Sequence, residues 1–237
     1  MTDYAKLSVV MPVYNERTTV AEAIRRVREV ELPLDKEVVV VDDGSTDGTR
    51  DILSRLSDST VRVFYQPANQ GKGAAVRRGI EEANGDVVVI QDADLEYDPR
   101  DWAAMLRPIL EGQARVVYGS RFTGERRNML FWHLVGNRFL SLVTDLLYNT
   151  TLSDMETCYK MADARLLRSL RLVSDRFEIE PELTAKFLRA GERIWEVPIR
   201  YAGREADEGK KISWRDGFPA LWTLIKYRLV PRRVIFR

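Results

Sequence analysis

Glu37–Thr49 (EVVVVDDGSTDGT) and Asp86–Glu96 (DVVVIQDADLE) share one layout: an unbroken run of four apolar residues that ends in carboxylates. A run with no polar alternation suits a strand covered on both faces, and parallel sheets are built of such strands. The form recurs at Leu7–Met11, which ends at Pro12, at Val61–Tyr65 and at Ala114–Ser120. Helical periodicity lies between the runs. Thr18–Glu31 puts Val20, Ala23, Ile24 and Val27 on one face, and Gly48–Leu56 and Lys72–Ala83 follow the same pattern. Strand–helix alternation of this kind predicts a doubly wound, mostly parallel α/β sheet.

In such sheets ligands bind beyond the carboxyl ends of the strands. Four polar segments fall there: PVYNE after the first strand, DDGSTDGT after the second, NQGKG after the third and QDADLE after the fourth. Helix capping accounts for Ser45, Thr46 and Asp47. It does not account for Asp42 and Asp43 on the same rim as Asp92, Asp94 and Glu96. Carboxylates this close repel unless something positive sits among them. A divalent cation such as Mg²⁺ or Mn²⁺ suits oxygen ligands and keeps positions open for substrate phosphates. A nucleoside diphosphate would use the whole rim: a carboxylate for base or ribose, a metal for the phosphates, and glycines where backbone must approach.

Composition narrows the classes. The 237 residues suffice for one large domain, and a net charge of +1 argues against a nucleic-acid binder that relies on bulk charge. The single cysteine, Cys158, excludes an internal disulfide and fits a reducing compartment; the single histidine, His133, excludes a His-cluster metal site. The N-terminus lacks a signal-peptide layout, and no stretch of about 18 uncharged apolar residues is present to span a bilayer.

The motifs VVMPVYNE, VVVVDDGSTDGT, NQGKGAAVRRG and DADL, in this order, resemble the signature set of family-2 glycosyltransferases. GSRF, FEIE and YAGREADEGKKI are similar, more narrowly, to the dolichyl- and polyprenyl-phosphate sugar synthases of that family. The resemblance covers Leu7 to Ile212 and implies a GT-A-like (Rossmann-like) domain over residues 1–212. It also implies a metal-dependent, inverting transfer of a hexose from GDP-mannose or a UDP-hexose to a polyprenyl or dolichyl phosphate. By the same resemblance, Pro12, Tyr14, Glu16, Asp43, Lys72, Asp92 and Lys211 would bind the donor, and Asp92, Asp94 and Glu96 would hold Mg²⁺ or Mn²⁺. Arg121, Arg138, Arg204 and Lys210 or Lys211 match cationic positions that the synthases aim at phosphate, and Asp94, Arg121, Arg138 and Arg204 form the expected catalytic set. Relatives often carry Gln at the position of Glu96, and usually Thr-Gly-Phe where this chain has Thr157-Cys158-Tyr159. A phosphate acceptor is already largely a dianion at neutral pH and needs no general base. A hydroxyl acceptor would need one, and Glu156 is the candidate. A hydroxyl-directed family-2 enzyme and a noncatalytic nucleotide-sugar binder therefore stay open.

A lipid acceptor calls for contact with a bilayer. Met129–Tyr148 carries Val135, Phe139, Leu142, Val143 and Leu146 as one stripe, opposite Asn137, Ser141, Thr144, Asp145 and Tyr148. Residues 213–237 place Trp214, Phe218, Leu221, Trp222, Ile225 and Leu229 on one helical face among Lys226, Arg228, Arg232, Arg233 and Arg237. Both read as amphipathic interface helices, and core packing or a homo-oligomer contact would use the same stripes. The expected location is the cytoplasmic face of a membrane, held peripherally.

Overall fold

The computed structural model describes residues 4–56, 58–127, 129–203 and 217–237. Arg204, Lys210, Lys211, Trp214 and the expected boundary at residues 212 and 213 lie outside the described residues.

The five expected strands form: β1 (Lys6–Val13), β2 (Asp35–Asp42), β3 (Val61–Tyr65), β4 (Val87–Ile90) and β5 (Val116–Ser120). Helices α1 (Val20–Glu29), α2 (Thr49–Leu53) and α3 (Lys72–Glu82) connect the first four. A 3₁₀ turn at Pro99–Asp101 leads into α4 (Trp102–Leu110), which returns the chain to β5. Strands β3, β2, β1 and β4 lie side by side in parallel register, with Val10 level with Val39 and Ile90. Their apolar runs are buried because helices cover both faces; Val9, Val10, Val39, Val40 and Val89 are 0% exposed.

The other half of the sheet departs from the expectation. Two short strands, β6 (Lys160–Asp163) and β7 (Trp195–Pro198), complete an order of β3-β2-β1-β4-β6-β5-β7. β6 runs antiparallel to both β4 and β5, so the sheet is mixed although mostly parallel. Because β6 is reversed, the segment entering it, rather than one leaving it, arrives at the rim beside the end of β4.

Besides β6 and β7, four helices follow β5: α5 (Phe131–Tyr148), α6 (Ala164–Ser169), α7 (Ile179–Ala190) and α8 (Gly217–Leu229). Leu140, Met155, Ala185, Ala220, Leu224, Tyr227 and Ile235 form a second core where α5, α7 and α8 meet. Helix α5 packs inside out. Its polar side turns inward: Ser141 Oγ accepts from the Met155 N–H, Asp145 Oδ1 accepts from the Leu152 N–H, and the Tyr148 hydroxyl donates to the Leu224 carbonyl. Most of its apolar stripe faces out, with Trp132 and Leu146 each 77% exposed and Phe131, Phe139 and Leu142 exposed beside them, while Val143 packs against the second core. Phe218, Trp222 and Leu229 of α8 extend the uncovered surface. Burying a side chain of this size contributes about 1.5–3 kcal/mol, so the stripe forgoes a large stabilisation in water. Among the described residues no helix is long and apolar enough to cross a membrane.

Candidate active site

At the rim the first two loops brace each other. Asn15 takes a left-handed conformation (φ 52°) just past β1. Its N–H donates to Ser45 Oγ at 2.9 Å, and its own side-chain oxygen accepts from the Thr46 N–H at 2.8 Å. The Glu16 N–H donates to Thr49 Oγ1, and the Glu16 carboxylate accepts from the Thr19 hydroxyl at 2.8 Å. Glu16 is therefore largely buried and braces the start of α1. Pro12 pairs with Val41 in the sheet, and Tyr14 stands half-buried at the mouth.

Asp42 and Asp43 divide their duties in a way the sequence did not announce. Asp43, expected to meet the base or ribose, is 2% exposed. Its Oδ1 accepts from Gln66 Nε2 and the Gln70 N–H, and its Oδ2 from the Gly71 N–H at 2.8 Å. Both oxygens thus anchor the loop before α3, and burial raises its pKa against those hydrogen bonds. Asp42 accepts from Arg50 Nε through Oδ1 at 2.5 Å, while its buried Oδ2 has no hydrogen-bond partner. The glycines also differ in role. A Cβ on Gly44 would lie 2.5 Å from the Ala68 carbonyl carbon, and one on Gly71 (φ 104°) 2.3 Å from the Asp175 carbonyl oxygen. They let chain segments approach one another.

The acidic end of β4 carries a cation already. Lys72, the first residue of α3, donates from Nζ to Asp92 Oδ2 at 2.9 Å and lies 3.1 Å from Glu180 Oε1. Burial would lower the Lys72 pKa, but the Asp92 charge foremost, with Glu180 also contributing, holds it well above the ordinary lysine value. Asp94 Oδ1 accepts from the Glu96 N–H at 3.1 Å across Leu95, a non-glycine residue at φ 65°. The Glu96 carboxylate accepts from the Tyr201 hydroxyl at 2.7 Å, and among the described residues no three His, Cys, Asp or Glu side chains gather closely enough to hold an ion. Asp92 and Asp94 remain as hard oxygen donors. Their chemistry fits a divalent ion completed by substrate oxygens, and the ammonium on Asp92 shows that the site draws positive charge.

Behind this end stands an aromatic wall. The Tyr159 hydroxyl donates to Gln91 Oε1 at 2.6 Å, and the Tyr97 ring packs 4.7 Å from Tyr159 and 5.4 Å from Tyr201, centroid to centroid. Cys158 is buried beside Asp92, and burial pushes its thiol pKa well up, so it acts as a small hydrophobe.

Arginines collect around Phe122, just past β5. The guanidinium carbons of Arg138, Arg126 and Arg121 lie 4.4, 5.1 and 5.8 Å from its ring centroid. Arg121, expected to face a phosphate, is instead buried and held bidentately by Asp154 at 2.7 Å on both oxygens, with Asn137 at 3.1 Å. Burial would lower its pKa, but Asp154 outweighs that and raises it well above the usual value. Arg126 and Arg138 are exposed, and among the described residues neither forms an ion pair. Arg126 and Asp154 carry no motif in the sequence; a lone Arg or Asp gains meaning only with Phe122 as the meeting point. Glu156 sits nearby in the strand-entry segment. Burial lifts its carboxyl to about 7 despite Lys160, and its Oε1 has no hydrogen-bond partner.

A mixed α/β sheet with an acidic strand end and a cationic second half defines the GT-A-like class of nucleotide-sugar folds. The sequence profile of glycosyl transferase family 2 matches residues 8–171, and the chain belongs to that family. It is 37% identical over 216 residues to a dolichol-phosphate mannosyltransferase of Pyrococcus furiosus, covering 86% of this chain and 59% of that protein. It is 29% identical over 209 residues to an undecaprenyl-phosphate 4-deoxy-4-formamido-L-arabinose transferase of Pseudomonas syringae, covering 86% and 60%. The chain therefore spans about 60% of the length of these relatives. Glucosyl-3-phosphoglycerate synthase of Mycobacterium tuberculosis, solved with Mn²⁺, UDP and glucosyl-3-phosphoglycerate, superposes with a TM-score of 0.73 at 25% identity, over 96% of this chain and 81% of that one.

Proposed function

We propose that this chain transfers a hexose from a nucleoside diphosphate sugar to a polyprenyl phosphate at a membrane surface. The observation that carries the reading is the position of Arg138: it lies on α5, the inside-out helix, and meets Phe122 beside the exposed apolar stripe. A lipid phosphate would place its head on Arg138 and Arg126 while its tail follows Phe139, Leu142 and Leu146. Arg121, locked by Asp154, would orient that cluster through Phe122; Arg204 and Lys211 remain expected phosphate contacts. Two relatives are named for polyprenyl-phosphate acceptors, and the solved neighbour holds a phosphate-bearing product, which supports a phosphate acceptor in general.

Asp92 and Asp94 would hold Mg²⁺ or Mn²⁺, which, when bound, offsets negative charge on the leaving diphosphate. Asp42 Oδ2, buried and unpaired, is the better candidate than Asp43 for a donor N–H or O–H. The acceptor dianion attacks the anomeric carbon directly, so an α-linked donor gives a β-linked glycosyl phosphate. The base, GDP or UDP, is decided by a few contacts at Tyr14, Asp42 and Asp43.

One observation favours a second reading. Glu156, with a carboxyl near 7 and an unpartnered oxygen, has the poise of a general base for a hydroxyl acceptor. The deciding experiment crosses radiolabelled GDP-mannose and UDP-glucose with polyprenyl phosphate in detergent, 3-phosphoglycerate and glycan alcohols. Transfer to polyprenyl phosphate, with Glu156→Gln still active, supports the lipid-phosphate reading. Transfer to an alcohol alone, abolished by Glu156→Gln, replaces it.

A further inference from the structure

Lys72 stands between two carboxylates and is hydrogen-bonded to only one. Its ammonium donates to Asp92 Oδ2 at 2.9 Å. Glu180 Oε1 is 3.1 Å from the same nitrogen, yet it is a buried oxygen that accepts no hydrogen bond. The rest of Glu180 is fixed. Its Oε2 accepts from Lys160 Nζ at 2.7 Å, and that ammonium spends its other donors on the Met155 and Thr157 carbonyls. Lys72 therefore has donors to spare, and Glu180 Oε1 has lone pairs to spare, at hydrogen-bond distance but out of alignment.

A buried acceptor is rarely left unsatisfied beside a donor without reason. Competition at Asp92 would supply one. A divalent cation and an ammonium cannot share one carboxylate oxygen without strong repulsion at low local dielectric. We propose that Glu180 is a positioning residue: it receives Lys72 by a small rotation of the lysine side chain when a divalent cation takes Asp92. Lys72 then serves as the stand-in charge until a cation binds, and Glu180 receives it afterwards. Helix α7 would thus set how readily the end of β4 accepts a cation, although Glu180 itself touches neither cation nor substrate.

The inference rests on the metal reading of Asp92, and the test separates the two. Mn²⁺ uptake by the full chain is followed by electron paramagnetic resonance, with MnCl₂ alone and with UDP or GDP added. Lys72→Met should tighten Mn²⁺ by about tenfold, because its competitor is gone. Glu180→Gln should weaken Mn²⁺ by about tenfold, because Lys72 has no second anion to join. In the double variant the Glu180→Gln loss should vanish. A purely structural role predicts the reverse pattern: both single variants weaken Mn²⁺, and the losses add. That pattern, or a Glu180→Gln loss of equal size with Lys72 absent, overturns the proposal. Lys72→Met leaves the Lys160 contacts untouched, so it decides the matter alone if Glu180→Gln does not fold. If the native chain takes up no Mn²⁺ under any condition, the metal reading of Asp92 fails first and the inference falls with it.

Discussion

At the ends of β2 and β4 three acids have been given company: Asp42 has Arg50, Asp43 has the backbone of Gln70 and Gly71, and Asp92 has Lys72. Around Phe122 the sign is opposite and the company is short. One carboxylate, Asp154, serves Arg121, while Arg126 and Arg138 stand over the same ring without an ion pair among the described residues, beside exposed apolar side chains. The first region is held ready by its own residues. The second exposes cationic and apolar side chains together, as the proposed lipid-phosphate acceptor would require.

The contrast can be broken from either side. Asp94→Asn should have the largest effect, lowering transfer on the order of 10³-fold, because it removes charge from the donor end. EDTA should do the same to the native chain, with recovery on adding Mn²⁺ or Mg²⁺, and full turnover in EDTA would sink the metal assignment. Arg138→Ala comes next. Losing one partner of a desolvated charge contact costs at least about 2–3 kcal/mol, so transfer to polyprenyl phosphate should fall roughly thirty- to 150-fold. Calorimetry should find nucleotide diphosphate affinity within about a few fold of the native chain. An equal loss of nucleotide binding would mean that the two regions are not separate.

Glu156 tests the border between them through pH. Its carboxyl is raised from 4.5 to about 7 in the folded chain, chiefly by burial. The stability it contributes is full below about pH 4.5 and is lost as pH rises through about 7. Glu156→Gln stays neutral throughout, so relative to the native chain it should gain up to about 3 kcal/mol between pH 4.5 and pH 8. Urea unfolding at the two pH values measures this, and a gain that does not change with pH would contradict the burial. The smallest effect belongs to Tyr227→Phe. The hydroxyl of this α8 residue donates to Glu182 Oε1 of α7 at 2.8 Å, inside the body. Its loss should cost about 1 kcal/mol, or roughly 2–4 °C in Tm, with donor binding unchanged.

Much of the first region could be read from residues alone. Long apolar runs such as VVVVDD and VVVIQD announce buried parallel strands, and the rim follows from the sheet. β6 escaped because Lys160–Asp163 is short and begins with a lysine; it is buried only because Glu180 and two carbonyls take its ammonium. The stripe on α5 was legible, but its direction was not. Periodicity shows that a helix has an apolar side, whereas the partners of Ser141, Asp145 and Tyr148 decide which side turns in. The different partners of Asp42 and Asp43 were equally hidden, since adjacent residues at a strand end point to opposite faces and only the loop after β3 picks one of them.

The reversed strand also bears on how the chain is made. By Ile90 a growing polypeptide holds all four parallel strands and can pair them in the order β3-β2-β1-β4. The outer edge of β4 then waits, with Val87, Val88 and Val89 unpaired on that side, until Met161 to Asp163 emerge from the ribosome. An open apolar edge of this kind invites pairing with another chain. During the interval of synthesis between β4 and β6 that edge of the nascent sheet therefore lacks its native partner.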